Sequence, residues 1–244
     1  SLGGHYVTAE DVGVSGADMV VIAQQTRFGS GLPAVGAGVG GDPSPYTAMG
    51  IYLGIKAAVK RALGKDALKG VHVAVQGTGS VGGGLARLLA GDGALLTLAD
   101  VNGARAQALA DELGATCVAT DGILSVEADV ISPCALGAVL NAQTIPMLKA
   151  PIVAGAANNQ LATDEDGSRL HARGILFAPD YVINAGGIIN VALEYIGQGD
   201  RDEVERRIRR IPERLEQVWR ESAETGDPAA HVADRIAQRL IGRG

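Results

Sequence analysis

The sequence predicts an α/β protein organised around a doubly wound parallel sheet. Three observations lead there. From about residue 44 onward, short apolar runs of Val, Leu, Ile and Ala alternate with helix-length amphipathic stretches, the rhythm of β–α–β units. Residues 71–100 hold a strand-compatible run, a G-x-G-x-x-G turn, a helix-compatible run and a second apolar run ending on Asp100. Hydrophobic residues make up 47% of the chain and aromatics only 3%, so small aliphatic side chains must fill the core, which suits tightly packed α/β layers.

The amino-terminal stretch reads as an extended entry followed by a helix. His5-Tyr6-Val7-Thr8 is strand-like, and Thr8 to Gly13 is a turn carrying the adjacent acids Glu10 and Asp11. From spacing alone, helix capping or surface charge is the favoured reading of that acidic pair. A helix is expected over 15–26, with Met19, Ile22 and Ala23 on its apolar side. Residues 29–41 are glycine-rich, include Pro33, and read as a hinge or boundary. Ser44 as N-cap and Pro45 as first helical residue open the next helix. Ile51, Ile55, Ala58, Val59 and Ala62 line one of its faces, and Gly64 ends it.

In residues 71–100 each residue type has a physical task. Gly77 permits a tight strand-to-helix turn, Gly79 lacks the Cβ that would keep a pyrophosphate off the backbone, and Gly82 lets helix and strand pack closely. The helix start at Ser80-Val81 offers unpaired N–H groups and the positive end of a dipole. Asp100, at the tip of the second strand, is placed to accept both hydroxyls of an adenosine ribose. In a chain with 35 glycines the glycine spacing alone says little; strand, turn, helix, strand and acid in register form the signal. The expected fold is Rossmann-like, with helices on both faces of the sheet. Asp100 would repel a 2′-phosphate, Val101 and Asn102 follow it, and the first arginine is Arg105, so NAD is expected over NADP.

The β–α pattern continues beyond Asp100. A helix over 104–113 is closed by Gly114, and strands are expected over 115–119, 129–132 and 151–156. A helix covering 168–173 leads to a strand near 174–178. Ligands in such sheets sit at the carboxyl ends of strands. The segments after Ser132, Gly155 and Phe177 are therefore candidates for the cleft wall, with turn chemistry alone as the competing reading for Asn158-Asn159. Small residues in Asn184-Ala185-Gly186-Gly187 would let a helix end approach a ligand. A long amphipathic helix kinked at Pro212 is expected over 201–224, and a last helix after Pro228 carries Val232, Ile236 and Leu240.

Net charge is −6, and the arginines at 206, 207, 209 and 210 alternate with acids at helical spacing, so a solvated helix face is expected and a nucleic-acid partner is not. Cys117 and Cys134 and the scattered histidines show no metal-ligand spacing, and no apolar run has membrane-spanning length; a cytoplasmic protein without metal or membrane partner is the expectation.

Several stretches resemble one family, the amino-acid dehydrogenases of glutamate, leucine, phenylalanine and valine, with leucine and valine dehydrogenase most similar. They are Gly4 to Gly13, Ala17-Asp18-Met19, Pro43-Ser44-Pro45-Tyr46-Thr47-Ala48, 76–82, 133–137, 155–161 and 178–190, in the same order along nearly the whole chain. The resemblance implies NAD-dependent oxidative deamination of an L-amino acid to its 2-oxo acid and ammonia, by a homo-oligomer. Asp11 matches the family's catalytic carboxylate, which reverses the bland reading of that residue. Thr47 matches a position near the nicotinamide, and Ala135, Leu136 and Ala156 match positions lining the cofactor, beside Gly77, Thr78, Gly79, Ser80, Val81, Gly82, Asp100 and Val101. Asn159 matches the residue that orients substrate or carboxamide. Ala9, Ile188 and Val191 match the side-chain pocket; all are small or aliphatic, which favours a branched aliphatic substrate.

The resemblance also implies a substrate domain of about 100 residues ahead of residue 1, a size that folds on its own core. That domain should hold two catalytic lysines; Lys56, Lys60, Lys65, Lys69 and Lys149 match no such motif. The expected organisation is a remnant of the substrate domain over 1–31, the dinucleotide-binding domain over 32–225 and a helix returning toward the substrate domain over 226–244. A free-standing NAD-binding module without turnover and a phenylalanine-type dehydrogenase are the alternatives.

Overall fold

The computed structural model describes residues 3–10, 13–32, 40–197 and 200–242. Thr8 and Gly29 form an isolated parallel bridge, so the strand expected over His5 to Thr8 is reduced to one pair. Helix α1, Gly16–Ala23, starts at a capping box: Ser15 caps Asp18 N–H, and the Asp18 carboxylate accepts the Ser15 N–H at 2.8 Å. It stops short of residue 26 in a run of turn bonds. Helix α2, Ser44–Leu63, starts one residue earlier than expected. Pro43 is its N-cap, and Asp42 accepts the Ser44 N–H at 2.9 Å, so Ser44 is the first helical residue instead of the cap. Gly64 closes α2 at φ +67°, a backbone conformation that favours glycine.

The sheet follows. Strand β1 is His72–Gln76, helix α3 Ser80–Gly91, strand β2 Leu95–Ala99, helix α4 Gly103–Leu113 and strand β3 Thr116–Cys117. Strands β4, Val130–Pro133, and β5, Ile152–Val153, come next, then helix α5, Asp164–Ala172, and strand β6, Leu176–Phe177. Several strands are shorter than the apolar runs suggest; after β5 and β6 the runs continue as buried loop residues, Ala154 and Ala178. All pairings are parallel, in the order β3-β2-β1-β4-β5-β6. The order reverses between β1 and β4, which opens a crevice there at the carboxyl edge. This is the Rossmann-like arrangement expected from residues 71–100.

Alternation along the strands divides the core in two. Val73, Val75, Leu96, Leu98, Val130 and Ile152 face one cluster; Ala74, Ala99, Ile131, Val153 and Phe177 face the other. On the first face lie α2, α3 and the carboxyl-terminal helices. These are α6 (Asp180–Ile183), α7 (Gly186–Tyr195), α8 (Arg201–Ile208), α9 (Ile211–Thr225) and α10 (Ala229–Leu240). Helix α5 and two 3₁₀ turns, Ile123–Ser125 and Ile145–Met147, cover the second.

The single kinked helix expected over 201–224 is two helices, α8 and α9. Pro212 lies in the first turn of α9, where a missing N–H costs nothing, so it starts a helix instead of bending one. Trp219 of α9 is buried and donates its indole N–H to the Phe177 carbonyl at 2.8 Å, tying α9 to the edge strand. Helix α10 packs on α5 and α9 with Val232 and Ile236 buried, while Leu240, expected on the same stripe, is 69% exposed. Among the described residues no helix is long and apolar enough to cross a membrane.

Glycines set how closely α2 approaches α6 and α7. A Cβ on Gly54 would lie 2.5 Å from Ile183, and one on Gly186 would overlap the Tyr46 carbonyl oxygen, a backbone atom that cannot step aside. Gly186→Ala is therefore expected to destabilise the protein by about 3 kcal/mol, read as a lower midpoint in urea unfolding at unchanged slope.

Candidate functional site

The glycine-rich turn sits at the carboxyl end of β1. Gly77 has φ +96°, and its N–H donates to the Ala99 carbonyl at 2.7 Å. A Cβ there would come within 2.9 Å of the Cys134 and Ala135 backbone. A Cβ on Gly82 would overlap the Gly77 carbonyl oxygen. Packing thus explains the first and third glycines. It does not explain Gly79, the N-cap of α3, whose φ of −68° suits any residue. An added Cβ there meets nothing within 4 Å. The Gly79 carbonyl accepts the Gly83 N–H at 2.7 Å, which leaves the earlier amides of Ser80, Val81 and Gly82 as the unpaired first-turn donors of α3.

Asp100 follows the last residue of β2, beside the glycine turn. Its side chain is 3% exposed. It accepts the Thr78 N–H at 2.6 Å, the Thr78 hydroxyl at 3.0 Å and the Asn102 N–H at 2.8 Å. Arg105 Nη2 lies 2.8 Å from both carboxylate oxygens. Burial pushes the Asp100 carboxyl up; Arg105, the two backbone donors and the Thr78 hydroxyl outweigh it and hold the group at about 2. Asp100 is therefore a permanent anion at neutral pH. Val101, next to it, is 94% exposed on the lip of the crevice.

The opposite wall is a set of loops tied to one another. The Cys134 N–H donates to the Gln76 carbonyl at 2.7 Å, which lays the loop after β4 over the Gly77 turn. Ala135 and Leu136 are exposed there. The Ala138 N–H donates to the Asn159 carbonyl at 2.7 Å. Asn159 has φ +51°, so the turn reading accounts for its backbone, and the residue is exposed. Asn184 Nδ2 donates to the Ala156 carbonyl at 3.1 Å and to Asn158 Oδ1 at 2.7 Å, joining the loop after β5 to the start of α7. No role was expected for Asn184; the signal available was its place directly before the small Ala185-Gly186-Gly187 run.

Helix α7 meets the start of α2 at the mouth. The Thr47 hydroxyl donates to the Pro43 carbonyl at 3.1 Å, and a Cβ on Gly187 would lie 2.5 Å from that hydroxyl oxygen. Ile188 is 64% exposed and Val191 is buried. One turn on, the Glu194 carboxylate accepts the Ser30 hydroxyl at 2.9 Å, the Gly31 N–H at 2.7 Å and the Leu32 N–H at 3.0 Å. The Ser30 hydroxyl also lies 2.9 Å from the Val191 carbonyl, and the Ser30 N–H donates to the Thr8 carbonyl at 2.9 Å. Through Ser30 the segment carrying Ala9 is pinned beside Val191, two positions expected in one pocket. This clamp was not foreseen, because its partners lie far apart in sequence. Asp11 lies outside the described residues. Its neighbour Glu10 is pushed above the usual carboxyl range by burial, then by the charges of Asp42 and Asp18.

The lysines lie elsewhere. Lys56 pairs with Asp92 at 2.7 Å, Lys60 with Asp66 at 2.8 Å and Lys149 with Glu127 at 3.3 Å. Lys65 and Lys69 stand between α2 and β1. All of these belong to segments that lead into the amino ends of strands, opposite the crevice.

Comparisons with known proteins agree with this geometry. Residues 105–241 match the family model described as glutamate/leucine/phenylalanine/valine dehydrogenase. The chain is 45% identical over 241 residues to a leucine dehydrogenase of Thermoactinomyces intermedius, covering 98% of this chain and 65% of that one. It is 40% identical over 244 residues to a valine dehydrogenase of Streptomyces albus, covering 99% of this chain and 66% of that one. The crystal structure of L-tryptophan dehydrogenase from Nostoc punctiforme superposes with a TM-score of 0.85 at 38% identity, over 99% of this chain and 69% of that one. The chain thus spans about two thirds of the length of the relatives it matches. With a crevice at the β1/β4 switch point, an amide-lined turn and sequence identity along nearly its whole length, the chain belongs to the glutamate/leucine/phenylalanine/valine dehydrogenase family.

Proposed function

We propose that this chain is the dinucleotide-binding part of an NAD-dependent dehydrogenase that deaminates a branched aliphatic L-amino acid to its 2-oxo acid. The observation that carries the proposal is the space at Gly79. A residue that neither packing nor backbone conformation requires to be glycine stands in front of the α3 amides, where a pyrophosphate would need the backbone bare. Bound there, NAD supplies the hydride acceptor for the substrate Cα. The protein's part is to hold and orient: Gly77 to Gly82 at the diphosphate, Asp100 and Val101 at the adenosine end, and Thr47, Ala135, Leu136, Ala156 and Asn159 along the nicotinamide side.

Asp11 is assigned to the substrate amine as proton relay. It follows Glu10 in the sequence, and Glu10 feels the charges of Asp42 and Asp18, a setting that suits a cationic ammonium or iminium. Ala9, Ile188 and Val191 would face the side chain, and none of them offers a cation to a second carboxylate. The catalytic lysines are assigned to a substrate domain beyond these residues, and a cytoplasmic homo-oligomer is the assembly that the family resemblance implies. A larger, aromatic substrate is the second reading. It is favoured by the tryptophan dehydrogenase relative and would be recognised by higher kcat/KM for phenylalanine or tryptophan than for leucine across a substrate panel.

Two variants of the full-length protein test the assignment. Gly79→Ala should leave the melting temperature unchanged and weaken NADH at least about tenfold, because a methyl group would occupy the diphosphate's approach; wild-type affinity in a fluorescence titration would refute the cradle. Asp11→Asn should bind NADH normally and lose about 10²-fold or more in kcat by removing the relaying charge; unchanged turnover would remove Asp11 from the mechanism.

A further inference from the structure

Asp100 is expected to receive a ribose diol, yet its acceptor capacity is already used. The Thr78 N–H, the Thr78 hydroxyl, the Asn102 N–H and Arg105 Nη2, which reaches both oxygens, converge on one carboxylate. An ionised carboxylate offers roughly four lone-pair sites. A diol can bind only if a donor leaves.

The donors differ in what leaving requires. The Thr78 and Asn102 amides belong to the glycine turn and to the residue that caps α4, so they move only with the backbone. The Thr78 side chain is buried. Arg105 is 48% exposed at the end of a long flexible stem, and it alone can swing into solvent with the fold intact. A second observation concerns its place in α4. Arg105 lies in the first turn, with its own N–H capped by the Asn102 side chain at 3.1 Å. A cation in a first turn opposes the helix dipole and gains from an anion beside it. Asp100 supplies that anion now; a phosphate on the ribose would supply one after release.

We propose that Arg105 is the specificity-determining gate of the adenosine-ribose subsite. It competes with the diol of NADH for Asp100, and once displaced it pairs with the 2′-phosphate of NADPH. Selectivity between the two cofactors is then set by the Asp100–Arg105 pair and not by Asp100 alone. Removing the guanidinium acts in opposite directions on the two ligands: the diol loses a competitor, and the phosphate loses a partner while Asp100 still repels it. This inference rests on the dinucleotide reading given above.

The test is titration of the full-length protein and of Arg105→Ala and Arg105→Lys with NADH and with NADPH, followed by nicotinamide fluorescence. Arg105→Ala is expected to bind NADH about threefold tighter and NADPH about tenfold weaker, the scale of one charge-assisted contact at a half-exposed site. Arg105→Lys keeps the charge without the planar fork, and its affinity ratio should lie between wild type and Arg105→Ala. Arg105→Ala weakening NADH, or shifting both cofactors by the same factor, would show that Arg105 only braces the loop and would overturn the gate while leaving the dinucleotide site standing. Wild-type protein that binds neither cofactor would remove the dinucleotide reading and the gate together.

Discussion

The structure depends on one close approach, between the start of α3 and the turn that leaves β1. Gly82 sits so near the Gly77 carbonyl that no side chain fits between them. That approach fixes the direction of α3, and the direction of α3 decides where its first amides point. Because β1 is flanked by β2 and β4, whose connections run to opposite sides, those amides open onto the one gap in the carboxyl edge that no crossover fills. Long apolar side chains could fill a core equally well, but they would hold helix and sheet apart and rotate the amides away. The low aromatic content and the many glycines are two sides of this requirement for backbones at short range.

The same device recurs where α2 meets α7. Gly50 and Gly186 let the two helices touch backbone to backbone, and Gly187 leaves room for the Thr47 hydroxyl, which carries Thr47 and Ile188 to one side of the mouth. Helix α7 then reaches back through Glu194 to Ser30, Gly31 and Leu32. A single carboxylate collects three donors from the beginning of the glycine-rich linker and so relates the amino-terminal segment to the sheet. Charge does here what burial cannot, because a segment of two short elements has little apolar surface to offer.

Residues 71–100 were legible because every local requirement there coincides with the global one: strand alternation, turn glycines, helix start and terminal acid agree in register. The Rossmann-like class of the sheet followed from the same stretch; the order of its strands came from the structure. Strand lengths were less legible, since a buried loop and a buried strand have the same composition. The break between α8 and α9 was missed because Arg209 and Arg210 keep the charge pattern of a continuous helix, and Pro212 reads equally as a kink or as a first turn. The glycine turn and the loops carrying Ala135 and Asn159 lie at the carboxyl ends of strands, where the alternation of strands and helices puts them. The clamp at Glu194, the bridge at Asn184 and the occupation of Asp100 by Arg105 were not legible. Each depends on which two distant side chains meet, and that is settled by packing and not by spacing.

The acids around the crevice divide by environment. Asp100 is buried, a circumstance that alone would favour its neutral form, but donors surround it and keep it charged near the lower limit for a carboxylate. Such a group can fix a sugar or a guanidinium; it cannot trade protons at neutral pH. Glu10 is pushed the other way, by burial and by the neighbouring carboxylates of Asp42 and Asp18. A corner of mutually repelling acids gains from any cation that enters, and it becomes a better proton acceptor while it waits. The proposed deamination requires a constant charge at the sugar and a proton-exchanging one at the amine, the part assigned to Asp11, which follows Glu10 in the sequence. Placing them on separate segments, one held by α4 and the other joined through Ser30 and Glu194 to α7, lets each be tuned without disturbing the other.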